Sequence, residues 1–239
     1  MKSIYQFLGL CLSVLPLAGQ TQHLETVGVG ASFNISQTWA EPSQIQLGKY
    51  TFQTDDDNSR LDDTGNRYSV FARVGLGEKG WFVQPEVAYT SVLGNQSSIT
   101  YYQLPNSPYP IIVYLYPRLQ RLEVAALAGV HLGRRLYLLA GPVLARYRQP
   151  SRSSTGTTEI EALQSAIYGS SRRTQVLGQV GVGVQLGRFD LNARYERGLT
   201  PYSREFSFQN QTYAYRQRSG QVLFTAGFLL HDRHRPWRK

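Results

Sequence analysis

Leu76-Gly77-Glu78-Lys79-Gly80, Leu132-Gly133-Arg134-Arg135 and Leu186-Gly187-Arg188 are three short stretches that read almost alike. Each stretch joins two runs in which apolar and polar residues alternate, and this is the sequence pattern of a β-hairpin. Between the hairpins lie long, irregular, polar connections. The three turns therefore predict an antiparallel sheet built from hairpins that are joined by long loops.

The alternating pattern extends over eight runs, and each run has one apolar face and one face of small, polar or charged residues. Side chains on a strand point to opposite sides with a period of two, which is why the two sets separate. The run lengths suit tilted strands that cross a bilayer, which take about 9–11 residues each. The predicted strands are Leu24–Gln37, Asn66–Gly77, Gly80–Val92, Leu119–Leu132, Arg135–Arg148, Arg173–Leu186, Arg188–Gly198 and Gly220–Leu230.

Residues 1–20 have the pattern of a secretory signal peptide, with Lys2 ahead of the apolar run Ile4–Leu17 and with Ala18 and Gly19 at its end. The apolar run is too short to span a membrane as a helix, which needs roughly 20 apolar residues. We therefore expect a signal peptide at 1–20 and a barrel domain at 21–239, with 230–239 as a basic C-terminal tail. The only cysteine, Cys11, lies in the leader, so the mature chain has no disulfide and no thiolate metal site.

An even number of strands and a secreted N-terminus place both termini in the periplasm, so that every long connection is external. The sequence thus predicts an all-β protein of the cell outer membrane. The expected fold is an eight-stranded antiparallel up-and-down transmembrane β-barrel with short periplasmic turns and four long external loops. The predicted external loops are Thr38–Gly65, Leu93–Arg118, Gln149–Arg172 and Leu199–Ser219.

Alternation alone does not say which face is outside, because a soluble eight-stranded barrel would turn its apolar face inward around a ligand. Charges of both signs on the polar face favour the membrane barrel, since a narrow lumen can pair them. Aromatic residues near the ends of the apolar faces match interfacial girdles. The predicted lumen charge network consists of Arg73, Glu86, Arg121, Glu123, Asp190, Arg194 and Glu196. The predicted girdle residues are Tyr68, Trp81, Tyr89, Tyr137, Tyr147, Phe189, Tyr195 and Phe228.

The fifth predicted strand is nearly apolar on both faces, so the alternation of apolar and polar residues gives little information about which face meets lipid. We place its larger side chains, Tyr137, Leu139, Val143 and Tyr147, on the lipid side. Arg146 and Arg148, near its end, are then predicted to point inward.

The leader, the eight strands and repeats such as Val27-Gly28-Val29-Gly30 and Val180-Gly181-Val182-Gly183-Val184 resemble the Bacteroidetes-type outer-membrane β-barrel domain family. This family includes small porin-like proteins and the PorT-like group. The resemblance covers nearly the whole mature chain, and it implies insertion by the barrel assembly machinery. Many such barrels end on an aromatic residue, whereas here Phe228 is followed by Leu229, Leu230 and the basic tail.

The inward charges are compatible with two roles: a salt-bridged plug, which the geometry of eight strands favours, or a narrow ion path. An open solute pore is not expected, because water-filled porins use roughly 16–18 strands. Catalysis is not expected, since His23, His131, His231 and His234 assemble no triad with a serine and an acid. The sequence also predicts no metal site and no cofactor.

The expected partners are outer-membrane lipids and lipopolysaccharide, whose phosphates suit arginine side chains. The residues predicted to contact lipid phosphates are Arg172, Arg173, Arg204, Arg216 and Arg218. A tyrosine-rich external loop suits a surface or secretion partner. The formal net charge of +9 does not indicate nucleic-acid binding, given the leader and the dispersed arginines.

We expect a monomer with a non-catalytic structural or loop-mediated binding role in the cell envelope. Three alternatives stay open at this point: an accessory barrel of a secretion system, as in the PorT-like group, a narrow channel, and a lipid-modifying enzyme.

Overall fold

The fold is described from a computed structural model over residues 22–54, 63–77, 80–93, 97–102, 109–115, 118–148 and 158–233. The predicted leader and the end of the basic tail lie outside the described residues. The helix is α1, Glu159–Gly169. The strands are β1 (Gln22–Glu41), β2 (Gln44–Leu47), β3 (Tyr50–Thr54), β4 (Asp63–Leu76), β5 (Trp81–Leu93), β6 (Ser97–Tyr101), β7 (Ile111–Leu115), β8 (Arg118–Leu132), β9 (Leu136–Arg148), β10 (Thr174–Leu186), β11 (Phe189–Gly198), β12 (Phe206–Phe208), β13 (Gln211–Tyr213) and β14 (Arg216–Asp232).

The eight long strands close into one antiparallel barrel in the order β1-β14-β11-β10-β9-β8-β5-β4. Each barrel strand pairs with its neighbours in sequence, and β14 closes the cylinder against β1. The predicted up-and-down barrel is confirmed. Glycines with positive φ, Gly77, Gly133 and Gly187, stand in the three short turns, where a left-handed backbone favours glycine.

β1 and β14 are longer than predicted. Their pairing continues to Glu41 opposite Arg216, beyond the end of the neighbouring strands β4 and β11. At the periplasmic end the register of β1 against β4 shifts between Leu24 and Thr26. This β-bulge turns two consecutive side chains, Glu25 and Thr26, toward the interior.

The apolar face of the barrel is outside, as predicted. Val182 and Leu191 are 48% and 42% exposed on the outer wall, whereas Arg194 in the interior is 2% exposed. Among the predicted girdle residues, Tyr68, Trp81, Tyr89, Phe189 and Tyr195 are exposed and Phe228 is half-buried. This arrangement gives lipid an apolar surface and leaves the polar side chains enclosed.

The predicted orientation of the fifth strand, β9, is wrong. Tyr137, Leu139, Val143 and Tyr147 are buried in the interior, and Arg146 and Arg148 are exposed on the outside. The tyrosines are accommodated because their hydroxyls have interior partners and because small residues make room. Tyr137 donates to Asp190 Oδ1 at 2.6 Å, and the Cζ atom of its ring lies 2.1 Å from where a Cβ on Gly183 would stand.

The four external connections are not irregular over the part that the structure describes. β2, β3, β6 and β7 form a four-stranded antiparallel sheet from the first two loops. The third loop contributes α1, and the fourth contributes the β12–β13 hairpin. We call this assembly of β2, β3, β6, β7, α1, β12 and β13 the external cap.

One hydrophobic core holds the external cap together, and residues of all four loops contribute to it. Its centre is Phe52, whose ring meets the rings of Phe206 and Tyr215 edge-on at 6.4 and 5.3 Å. The buried members are Ala40, Ile45, Leu47, Tyr50, Phe52, Ile99, Leu115, Leu163, Ile167, Phe206, Phe208 and Tyr215.

Within the described ranges, no helix is long and apolar enough to cross a membrane.

Candidate functional site

The barrel interior is filled with charged side chains at the level of the membrane. Arg67 connects two carboxylates: its Nη1 lies 2.6 Å from Glu86 Oε1, and its Nε lies 2.8 Å from Glu123 Oε2. None of these three side chains is exposed. Because the opposite charges are in direct contact, each offsets the desolvation of the other.

The contacts continue from both ends of this group. Arg194 Nη1 lies 2.9 Å from Glu86 Oε2, and Arg121 Nε lies 2.5 Å from Glu123 Oε1. Arg121 also pairs with Glu196 through its second guanidinium nitrogen. The result is an unbroken chain of alternating charges, which we call the ionic chain: Arg194, Glu86, Arg67, Glu123, Arg121 and Glu196.

A separate ion pair lies nearer the periplasm, where Arg73 Nη2 is 2.8 Å from Asp190 Oδ2. The guanidinium of Arg73 also lies 4.1 Å from the centroid of the Tyr137 ring, which favours a cation over its face. Gln84 joins this pair to the ionic chain, because it accepts from Arg73 Nε and donates to Glu86, both at 2.8 Å.

The structure brings all seven predicted lumen residues together in the interior, and it adds one. The predicted set holds three arginines and four carboxylates. Arg67 supplies the fourth positive charge, so the observed group is formally neutral. The sequence places Arg67 on the inward face of its strand, and the unmatched negative charge of the predicted set is the signal that would have identified it.

Amide and hydroxyl groups satisfy much of the remaining hydrogen-bonding capacity. Gln179 and Gln221 donate to Glu196, and Thr90 donates to Glu123. Tyr147 accepts from Arg121 and donates to Gln175 at 2.7 Å. These groups fix the position of each charge in the buried polar core of the barrel.

Aromatic rings lie at both ends of this core. Tyr202 from the fourth loop stacks on Tyr147 at the external end, with ring centroids 6.2 Å apart. At the periplasmic end, Phe82 packs between His131 and Tyr137. Together with the ionic chain, these rings close the barrel along its axis.

Below Phe82 the periplasmic mouth is open, with a cavity of 1000 Å³. The bulge at Glu25 aims its carboxylate into this cavity, where it lies 3.2 Å from His131 Nε2 and 3.5 Å from His23 Nε2. Across the described ranges, no group of three or more His, Cys, Asp or Glu side chains has the geometry to hold a metal ion.

In the external cap, Glu159 at the start of α1 joins three loops. Its carboxylate accepts from the Tyr50 hydroxyl at 2.6 Å, lies 2.9 Å from Lys49 Nζ, and accepts from the Gln209 amide. The hydrogen bond from Tyr50, followed by the one from Lys49, lowers the pKa of Glu159. The hydrogen bond from Lys49 to Glu159 also raises the pKa of Lys49. Burial raises the pKa of Tyr50.

The five arginines predicted to contact lipid phosphates do not form one group. Arg172, Arg204 and Arg216 line a groove of 590 Å³ between the end of α1 and the β12–β13 hairpin. Arg218 lies opposite Trp39 in the β1–β14 ladder. Arg173 lines a different depression, at the external rim of the barrel wall, together with Arg146 and Arg148.

A family model described as outer membrane protein beta-barrel domain matches residues 20–204. No curated protein matches the sequence.

Several solved structures are similar at low identity. Ail, the attachment invasion locus protein of Yersinia pestis, solved in complex with the heparin analogue sucrose octasulfate, is 12% identical with a TM-score of 0.40, over 87% of this chain and 100% of that one. Neisserial surface protein A is 13% identical with a TM-score of 0.39, over 86% and 98%. OprG from Pseudomonas aeruginosa is 10% identical with a TM-score of 0.41, over 87% and 98%.

Proposed function

Since the chain belongs to the outer membrane protein beta-barrel domain family, we propose that it is a closed, non-catalytic barrel that holds a folded binding module on the cell surface. The observation that carries this proposal is the shared core of the external cap, to which all four loops contribute. Loops that served only to connect strands would need no common core. A folded surface at the tips of rigid strands is a common way to present a binding site.

The interior supports a barrel without conductance. The residues of the ionic chain are almost completely buried, and the ring of Tyr202 covers Tyr147 above it. An ion would have to break several buried ion pairs to pass, and each would leave an uncompensated charge. We expect purified wild-type protein to be silent in planar bilayers. Stepwise conductance of the wild-type protein would overturn the closed barrel.

The chemistry of the interior also supports a non-catalytic role. Glu86, Glu123, Asp190 and Glu196 each contact at least one guanidinium group. A carboxylate held in this way is a poor general base, because removing its charge disrupts a buried ion pair.

The proposal also includes insertion by the barrel assembly machinery and a monomeric state.

A complementation experiment tests the role of the external cap. A deletion strain receives wild-type protein, Phe52→Ala in the core of the cap, or Phe33→Ala on the lipid-facing wall, and its sensitivity to detergents is compared. We expect Phe33→Ala to restore the detergent resistance of the wild type. Phe52→Ala should not restore it, even when the cells contain the same amount of folded barrel. Full restoration by Phe52→Ala would show that the barrel alone carries the function.

A second candidate, an accessory barrel of a secretion system, is favoured by one surface. Around β7, the side chains of Ile112, Tyr102, Tyr109 and Tyr114 are 46–79% exposed, and tyrosine is enriched at protein interfaces. This second candidate function agrees with the resemblance of the sequence to the PorT-like, Bacteroidetes-type group. The candidate predicts crosslinking of wild-type protein to envelope proteins and loss of export on deletion. Normal export in the deletion strain would remove it.

A further inference from the structure

Three arginines lie together at the external end of the lipid-facing wall. Arg146 and Arg148 are exposed on β9, and Arg173 precedes β10. With Tyr89 and Leu122 they line a depression of 440 Å³. The backbone register explains the grouping, because Arg146 stands opposite Leu122 on β8 and opposite Thr174 on β10.

This group, which we call the rim cluster (Arg146, Arg148 and Arg173), differs electrostatically from the barrel interior. Among the described residues, the others that line the depression are Gln120, Arg121 and Tyr147, and none of the described lining residues is a carboxylate. Every interior arginine, by contrast, contacts a carboxylate. In the described part of the chain, no acidic side chain pairs with Arg146 or Arg148. Within the described residues, Arg146 and Arg148 therefore present positive charge that no carboxylate neutralises.

The height of the rim cluster matches a lipid headgroup layer. Arg146 lies eleven positions beyond Arg135 in the periplasmic turn. At about 3.3 Å per residue and a tilt of about 40°, this distance corresponds to a height of about 28 Å, against an apolar band about 25 Å tall in such barrels. Tyr89 and Leu122, which are 42% and 48% exposed, lie beside the arginines on the same wall. The depression is thus charged where headgroups lie and apolar where acyl chains begin.

We propose that Arg146, Arg148 and Arg173 bind a phosphate group carried by a lipid of the outer leaflet, with an acyl chain of that lipid packed against Tyr89 and Leu122. Arginine suits this role, because its planar guanidinium donates two parallel hydrogen bonds to phosphate oxygens. The site rests on the outer-membrane location alone and is independent of any role of the external cap.

A binding titration tests the site. Folded protein in detergent micelles is titrated with diphosphoryl lipid A or with lipid A stripped of its phosphates, and the bound fraction is measured by native mass spectrometry. We expect the wild-type protein to bind the phosphorylated lipid at least tenfold more tightly. Arg146→Gln combined with Arg148→Gln should abolish this preference.

The matched control removes the same charge at the opposite end of the barrel. Arg134→Gln combined with Arg135→Gln, in a periplasmic turn, should leave the preference unchanged. Equal affinity of the wild-type protein for the two lipids, or equal loss in both double variants, would overturn the proposal. Displacement of lipid A by millimolar inorganic phosphate would overturn the lipid part, since it would show that a free anion satisfies the site. Heat-modifiable mobility in gels confirms that each variant is folded.

Discussion

Arg67 and Glu123 are 56 positions apart in the chain, and Nε of Arg67 donates to Oε2 of Glu123 at 2.8 Å in the centre of the barrel. Neither side chain is exposed. The contact crosses from β4 to β8 over β5, so it ties strands that do not share a backbone ladder. The interior of this barrel therefore combines charge pairing across the lumen with a cluster of buried apolar side chains.

We expect Arg67→Leu to lower the free energy of unfolding by about 3–5 kcal/mol, because it leaves Glu86 and Glu123 buried without that cation. The measurement is urea unfolding in detergent micelles, followed by the mobility of folded and unfolded protein in gels. Arg118→Leu, at an exposed arginine, should change the same quantity by only about 0.5 kcal/mol. Equal effects of the two substitutions would contradict the prediction.

The coupling between Arg67 and Glu123 is measured by combining Arg67→Leu with Glu123→Leu. Because the two groups share one contact, the double variant should lose less stability than the sum of the single variants, by about 0.5–3 kcal/mol. The readout is again the free energy of unfolding in urea. Strict additivity would show that the contact does not stabilise the folded state.

Gly183→Ala should be destabilising, although it adds only one methyl group. A Cβ at Gly183 would stand 2.1 Å from Cζ of Tyr137, so the ring must move and its hydrogen bond to Asp190 must lengthen. We expect a loss of about 1–3 kcal/mol in unfolding free energy, which is typical of overpacking. Gly178→Ala on the same strand is the control, because the atoms nearest to its Cβ would be those of the Leu199 side chain, at the ordinary contact distance of 3.5–3.6 Å. Similar stability of the two variants would refute this packing argument.

The external cap should lose stability at acidic pH. The pKa of Glu159 is lowered by its hydrogen bonds in the folded state, so its contribution is complete above the ordinary glutamate value and is lost as the pH falls below it. The protection factors of the α1 amides in hydrogen–deuterium exchange, which correct the exchange rates for their intrinsic pH dependence, should therefore be high at pH 7 and lower near pH 4.

Glu159→Gln should remove most of this acid sensitivity, whereas Glu205→Gln, at an exposed carboxylate of the fourth loop, should retain it. At the alkaline end, the raised pKa of Lys49 means that its ion pair persists until the pH rises above the ordinary lysine value. Protection factors of α1 that are the same at pH 4 and pH 7 would contradict this account.

Phe52→Ala should destabilise the external cap by about 3–5 kcal/mol, the usual cost of deleting a buried phenylalanine side chain. Phe52 is completely buried among residues of the other loops. Trypsin added to intact cells should cleave the external part of this variant faster than that of the wild type, with the barrel still folded. Phe33→Ala, on the exposed wall, should leave the cleavage rate unchanged.

The barrel was predictable because its rules are local. The predicted strand Arg188–Gly198, which is β11 in the structure, illustrates this. Its polar residues alternate with apolar ones, and all four are buried in the barrel interior: Asp190, Asn192, Arg194 and Glu196. One charged residue was enough to orient such a strand. Strand β9 has no charge in its middle, so alternation alone predicts its larger side chains on the lipid side. The tyrosines of β9 point inward because their hydroxyl groups have partners in the interior and because Gly183 leaves room for a ring. The alternation of apolar and polar residues shows neither feature.

The external cap was less predictable because its core joins distant segments, although three local signals were present. Ile45 and Leu47 precede Gly48, and Tyr50 and Phe52 follow it, which is the pattern of a hairpin, and Gly48 has the positive φ that such turns need. Thr158 caps α1 by accepting from the Glu161 amide, with the spacing of a capping box. Gln209 and Asn210 both have positive φ in the β12–β13 turn. That these pieces pack on one another was not encoded in any one of them.

The core shared by the four loops has a consequence for what other molecules recognise at the cell surface. An antibody raised against the intact protein would see an epitope assembled from several stretches of chain. A linear peptide copied from a single loop would lack the neighbours that give that stretch its shape, and it would be a poor immunogen for the native surface.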